Sequence, residues 1–219
     1  ERKALELYQT PAWCTDTLVR HLVDIKALPA GAHIWEPAAG EGQVVRALEA
    51  HGFNVFASDV HQYEGHPLNI TEDFCNLYPP IGCQAIITNP PYGFQGKEAE
   101  RFIAHALHCL ARTGGVVAML LRVDFDSAST RSNLFRDNPY WANKHVLLDR
   151  IQWFDPPPPK PGEKKKNNKS STNHAWFIWD FRHEGPALVS YGHNAGQKRR
   201  KKQKNKTDAA NTDIAKNAN

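Results

Sequence analysis

The chain of 219 residues lacks most of the features that announce a fold by themselves. Its four cysteines, Cys14, Cys75, Cys83 and Cys109, form no C-x-x-C pair and have no matched histidine spacing, which argues against a zinc site and against a disulfide framework. The expectation is a reducing, cytoplasmic setting with no bound metal. No apolar run approaches the roughly 20 residues that a membrane helix needs, and the opening "ERKALELYQT" has no signal-like apolar stretch, so no membrane partner is expected. No internal repeat is present either.

Strong charge is also missing from the body of the chain. Residues 195–219 carry eight Lys and Arg against Asp208 and Asp213, a net +6, so residues 1–194 hold −2 of the chain's +4. This terminal tail, and the Lys-rich "KPGEKKKNNKSS" (160–171) that follows four consecutive prolines, have no apolar periodicity. Both are expected to be solvated and flexible.

What is present is an alternation of short apolar runs with helical periodicity. "AHIWEPA" (32–38), "NVFASDV" (54–60), "QAIITNP" (84–90), "VVAMLLRV" (116–123), "HVLLDRIQWF" (145–154) and "HAWFIWDF" (174–181) read as strands. "GQVVRALEAHG" (42–52) and "KEAERFIAHALHCLARTGG" (97–115) read as helices closed by glycine. Strand–helix–strand order predicts an α/β fold, a mainly parallel sheet with helices on both faces, and a ligand site beyond the carboxyl ends of the strands.

The unusual residues fall at those ends. The first strand runs into "EPAAGEG" (36–42), where Gly40 and Gly42 permit a tight turn and close approach of a nucleotide-type ligand, and Glu36 is presented by the strand. Val45 stands where a dinucleotide fingerprint would want a third glycine, so NAD is disfavoured. Asp59 closes the second strand, where a carboxylate can accept hydrogen bonds from ribose hydroxyls, and Asp73 with Phe74 is placed to grip an adenine ring. The third strand ends in Asn89-Pro90-Pro91-Tyr92. Two prolines fix φ and remove two backbone donors, so the strand stops in a rigid edge carrying an amide and a phenol.

"YQTP" (8–11), "WEPAAGEG" (35–42), "SD" (58–59), "EDF" (72–74) and "NPPY" (89–92) occur in the order and spacing of class I S-adenosylmethionine-dependent methyltransferases. The chain resembles the N6-adenine DNA methyltransferases of the small type carried by phages and prophages, over residues 8 to about 181. The resemblance implies a Rossmann-like seven-stranded sheet, a catalytic domain over residues 1–194 with a flexible loop at 157–172, and a basic tail at 195–219. It implies S-adenosylmethionine as cofactor, held by Thr10, Pro11, Glu36, Pro37, Ala38, Gly40, Asp59, Asp73, Phe74 and Asn89. No sizeable target-recognition domain follows "HAWFIWDF", which departs from larger members.

Asn-Pro-Pro-Tyr suits methylation of an amine conjugated with a ring. The Asn89 side-chain oxygen and the Pro90 carbonyl are candidate acceptors for the amine, held by Pro90 and Pro91, and they would stabilise positive charge as it develops. Tyr92 offers a face on which an extruded base could stack. Trp176 or Phe177 is the expected partner on the other face, unless these aromatics belong to the sheet core, with an edge contact from His174 and phosphate contacts from Lys164, Lys165 and Lys166. DNA is the expected partner, with RNA an alternative on the same grounds. A protein glutamine amide poses the same electronic problem, and a non-catalytic nucleic-acid-binding relic of the fold is the alternative from another class.

Overall fold

The computed structural model describes residues 7–153 and 170–196. Among them are strands β1 (His33–Glu36), β2 (Asn54–Asp59), β3 (Ile70–Thr71), β4 (Ala85–Thr88), β5 (Val116–Arg122), β6 (Trp141–Leu147), β7 (His174–Asp180) and β8 (Leu188–Gly192). They form one sheet in the order β3-β2-β1-β4-β5-β7-β6-β8. All neighbouring strands are parallel except β7, which runs antiparallel to both β5 and β6. The carboxyl ends of β1, β2, β4, β5 and β6 and the start of β7 therefore meet at one end of the sheet.

The sheet is eight-stranded, not seven-stranded. The additional strand β8 follows Pro186 and lies parallel to β6, with Leu188, Val189 and Tyr191 exposed. Half-solvated edges leave no buried-strand pattern to read. β6 also lies earlier than the reading "HVLLDRIQWF" implies, because the strand begins at Trp141 through a register irregularity between Trp141 and Asn143.

Period-two alternation places successive side chains of β4, β5 and β7 on opposite faces. Ile87, Ala118, Leu120, Trp176 and Ile178 join one core layer with Leu18 and Leu22 of helix α1 (Ala12–Asp24) and Leu48 of α2 (Gln43–Ala50). Ile86, Val117, Met119, Phe177 and Trp179 join the other with Phe102 and Ile103 of α3 (Lys97–Leu110). Helix α1 has no strong sequence punctuation apart from Pro11 at its start, where a fixed φ and a missing donor are tolerated. Its packing under β7 is sealed by the Trp176 indole N–H, which donates to the Cys14 carbonyl at 2.9 Å. All four cysteines are free thiols.

Candidate active site

A cavity of about 480 Å³ opens at the carboxyl end of the sheet. It is bounded by residues 7–10, by the loop after β1, by Asp59 and Val60, by Asp73 and Phe74, by Asn89, Pro90 and Pro91, and by Glu98, Arg101 and Phe102 of α3. The volume lies within the range of small-molecule and cofactor sites.

Two carboxylates hold the loop after β1 in place. Glu36 Oε1 accepts from the Ala38 N–H at 3.0 Å, and Asp59 Oδ2 accepts from the Gly40 N–H at 2.9 Å. Asp59 Oδ1 accepts from the His61 N–H at 3.1 Å, and burial, opposed by these N–H groups, raises the Asp59 pKa. Gly40 and Gly42 both have positive φ, 53° and 82°. The positive φ favours glycine at both positions, and a Cβ on Gly42 would also come within 2.3 Å of His66 Cβ. Gln9 hydrogen-bonds Glu41 of this loop.

Glu36 lies behind the cavity wall and is not part of its lining. It is fully buried, and neither its Oε2 nor the buried Thr88 hydroxyl reaches hydrogen-bonding geometry with a partner. Burial pushes its pKa up to about 8, offset only in part by the nearby Thr88 hydroxyl and the Ala38 N–H, and increased again by Asp59. The residue thus positions the loop and carries a proton near neutral pH.

Asn89 stands at the end of β4, where the sheet opens into the cavity. Its Nδ2 donates to Thr10 Oγ1 at 3.1 Å, and Thr10 is buried. This bond orients the amide, so that Oδ1 occupies its other edge as the acceptor. Pro90 is buried and Pro91 half-buried, both against the cavity. Pro11, half-buried, follows Thr10 and begins α1, while Pro37 and Ala38 line the cavity. Tyr92 is half-buried and set edge-on to Phe125 at 6.4 Å.

Asp73 and Phe74 reach the cavity already engaged. Arg101 Nη2 contacts both Asp73 oxygens, at 3.0 and 2.7 Å. Burial raises the Asp73 pKa, but the Arg101 guanidinium and the Cys75 N–H outweigh it and hold the carboxyl below its usual range. The Phe74 ring packs edge-on to Trp35 at 4.9 Å.

Trp176 and Phe177 are not placed as the reading of "HAWFIWDF" expects. Both are fully buried, on opposite faces of β7, because β7 lies between β5 and β6 and is covered by helices on both sides. Neither presents a face to the cavity. His174, at the start of β7, is buried too, and burial with the Arg122 charge lowers its pKa to about 4, so it is neutral. Lys164, Lys165 and Lys166, the loop 157–169 and the tail from 197 lie outside the described residues.

Further side chains at this end were given no role by the sequence, although Tyr8 opens the quoted "YQTP". Tyr8 lines the cavity and meets Trp153 edge-on at 5.6 Å, and Trp153 meets His174 at 5.1 Å. Arg131 donates from Nη2 to the Gln95 carbonyl at 2.9 Å, from Nη1 to the Phe125 carbonyl at 3.0 Å and from Nε to Glu100 at 2.9 Å. Its guanidinium lies 3.8 Å from the Phe125 ring centroid. Arg131 therefore ties the exit of the Asn-Pro-Pro-Tyr turn to α3 and to the ring beside Tyr92. No group of His, Cys, Asp and Glu suited to a metal occurs among the described residues, and no described helix is long and apolar enough to cross a membrane.

No protein-family model matches the chain. Over 97 residues it is 35% identical to a type II methyltransferase of Thermus thermophilus, a match that covers 41% of this chain and 22% of that protein. The chain thus spans about a fifth of the length of this curated relative. Among solved structures, a candidate RNA methyltransferase of Pyrococcus horikoshii superposes with a TM-score of 0.60 at 17% identity, covering 82% of this chain and 89% of that one. A type I restriction-modification methyltransferase subunit of Streptococcus thermophilus gives 0.56 at 11% identity, over 84% of this chain and 47% of that one. The fold of this chain is the Rossmann-like fold of these methyltransferases.

Proposed function

We propose that the chain is an S-adenosylmethionine-dependent methyltransferase acting on the N6 amine of adenine in DNA. The observation that carries the reading is the Asn89 amide, oriented by Thr10 and followed by two prolines, at the mouth of a cavity of cofactor size. The sequence relationship to a type II methyltransferase favours DNA as the acceptor.

The residues fit the cofactor. Asp59, Asp73, Thr10, Pro37, Ala38, Gly40 and Phe74 line the cavity that S-adenosylmethionine would occupy. When bound, S-adenosylmethionine supplies an electrophilic sulfonium methyl. Asn89 Oδ1 and the Pro90 carbonyl would accept hydrogen bonds from the adenine amine, drawing its lone pair out of conjugation and towards the methyl. The same oxygens would face the nitrogen as it becomes positive on gaining the methyl, and the surplus proton would pass to water. Such preorganised acceptors act more strongly on the transition state than on the ground state. Because Pro90 and Pro91 cannot relax, the acceptors stay aimed. Tyr92, with Tyr8 of the cavity lining, would supply aromatic surface for a base taken out of the stack.

The test is transfer from trideuteromethyl-labelled S-adenosylmethionine to DNA, RNA and protein acceptors, followed by mass spectrometry of nucleosides and amino acids. Labelled N6-methyladenine in DNA is the expected product. Label confined to RNA or glutamine, or no transfer at all, refutes the proposal.

A further inference from the structure

The turn that leaves Tyr92 presents a phenyl ring to solvent. Phe94 is 72% exposed, although the residues around it are held tightly. Gly93, Gln95 and Gly96 all have positive φ, at 63°, 54° and 82°. For Gln95, which has a Cβ, that conformation is sparsely populated and costs energy. A Cβ on Gly93 would come within 2.6 Å of Glu98 Cγ, and one on Gly96 within 2.8 Å of Arg131 Nη2, so both glycines are required where they stand. The Gln95 carbonyl is then fastened by Arg131. A flexible surface loop would need none of this. The backbone is strained and clamped while its one large apolar side chain is left in water.

We infer that Phe94 is a stacking contact for a base of the acceptor nucleic acid, outside the catalytic turn that receives the target. The inference rests on the function proposed above and adds an element that the buried Trp176 and Phe177 do not supply. Gly93 lines the cavity and Phe94 follows it directly, so the exposed ring is mounted beside the cavity wall. A phenyl ring stacks on any base, which suits a contact to a neighbouring nucleotide, and its rigid mounting lowers the ordering cost of binding.

The experiment compares wild type, Phe94→Ala and Phe94→Trp for binding to a labelled 20-base DNA strand and to the same sugar–phosphate chain with the bases removed. Phe94→Ala should weaken binding to the normal strand by roughly 5- to 150-fold, the range for one base–aromatic stack, and leave binding to the abasic chain unchanged. Phe94→Trp should bind the normal strand as tightly as wild type or more so. The salt slope should be equal in all three, since the same phosphates are neutralised in each. Equal affinity of Phe94→Ala and wild type for the normal strand overturns the inference. So does an equal loss on both strands, or a lowered melting temperature with affinity intact, which would place the ring against protein. If wild type methylates DNA adenine in the labelling assay while Phe94→Ala binds normally, this inference alone fails. If wild type neither binds nor methylates DNA, the proposed function fails with it.

Discussion

Glu36→Gln makes the buried carboxyl at the end of β1 measurable. In the native chain its pKa is about 8, chiefly through burial, whereas an unfolded glutamate titrates near ~4.3. Between these values the folded protein holds a proton that the unfolded chain has released. The stability contributed by the native environment is therefore complete below the unfolded pKa and is lost as pH rises towards about 8. The slope for one such group is about 1.4 kcal/mol per pH unit, or about 4 kcal/mol between pH 5 and pH 8. Glutamine cannot titrate, keeps an oxygen for the Ala38 N–H, and turns an N–H donor towards the Thr88 hydroxyl. The stability of Glu36→Gln minus that of wild type should therefore rise by about 4 kcal/mol from pH 5 to pH 8. For a chain of this size that corresponds to about 8–16 °C in the difference of melting temperatures. His145 and His174, both pushed down to about 4 by burial, destabilise wild type and variant alike as pH falls below about 6.5, and cancel in the difference. Urea unfolding of both proteins at four pH values is the assay. Parallel curves would show that Glu36 is ionised in the folded state and that the burial argument is wrong.

Asn89→Ala should reduce turnover by about 2–4 kcal/mol of transition-state stabilisation with cofactor affinity nearly intact, and Thr10→Val should fall between it and wild type because the amide keeps its acceptor but loses its orienting partner; calorimetry and single-turnover kinetics separate the two effects. Arg131→Ala removes three hydrogen bonds and a ring contact from a mostly buried side chain, so denaturant unfolding should register a loss of about 2–4 kcal/mol, with Arg131→Lys recovering little of it since an ammonium lacks the planar fork. Deleting residues 197–219 should weaken DNA binding alike for all sequences and flatten the log–log salt dependence by roughly 0.9 for each duplex phosphate that the tail had neutralised, leaving turnover at saturating DNA unchanged; an unchanged slope refutes that role for the tail.

The parts of the fold that were legible in the sequence are those where one residue type has few uses. Proline pairs end strands, so the turn at Asn89 and its place after a buried strand could be read directly. Glycines with positive φ marked the loop after β1, and Asp59 at a strand end marked a site-facing carboxylate. Helix α1 escaped because its amphipathic pattern is weakly punctuated and its burial depends on a partner, Trp176, 162 residues away in sequence. "HAWFIWDF" was legible as a strand but not as a fully covered one, since a continuous apolar run does not say whether its aromatics face a ligand or two layers of helix. The engagement of Asp73 by Arg101 could not be read at all, because it depends on how α3 is set against the loop before it.

The reversed direction of β7 has a consequence for how this protein could change its target over evolutionary time. Because β6 runs towards the cavity end of the sheet and β7 starts from it, the chain departs at Trp153 and returns at Ser170 at that same end. Anything spliced between those points would emerge at the cavity end, the acceptor side under the function proposed above, and would leave the sheet hydrogen bonds in place. New acceptor preferences can thus be sampled by lengthening, shortening or exchanging one connection. The core is shielded from that experimentation, and the transfer chemistry proposed for Asn89 would be inherited unchanged.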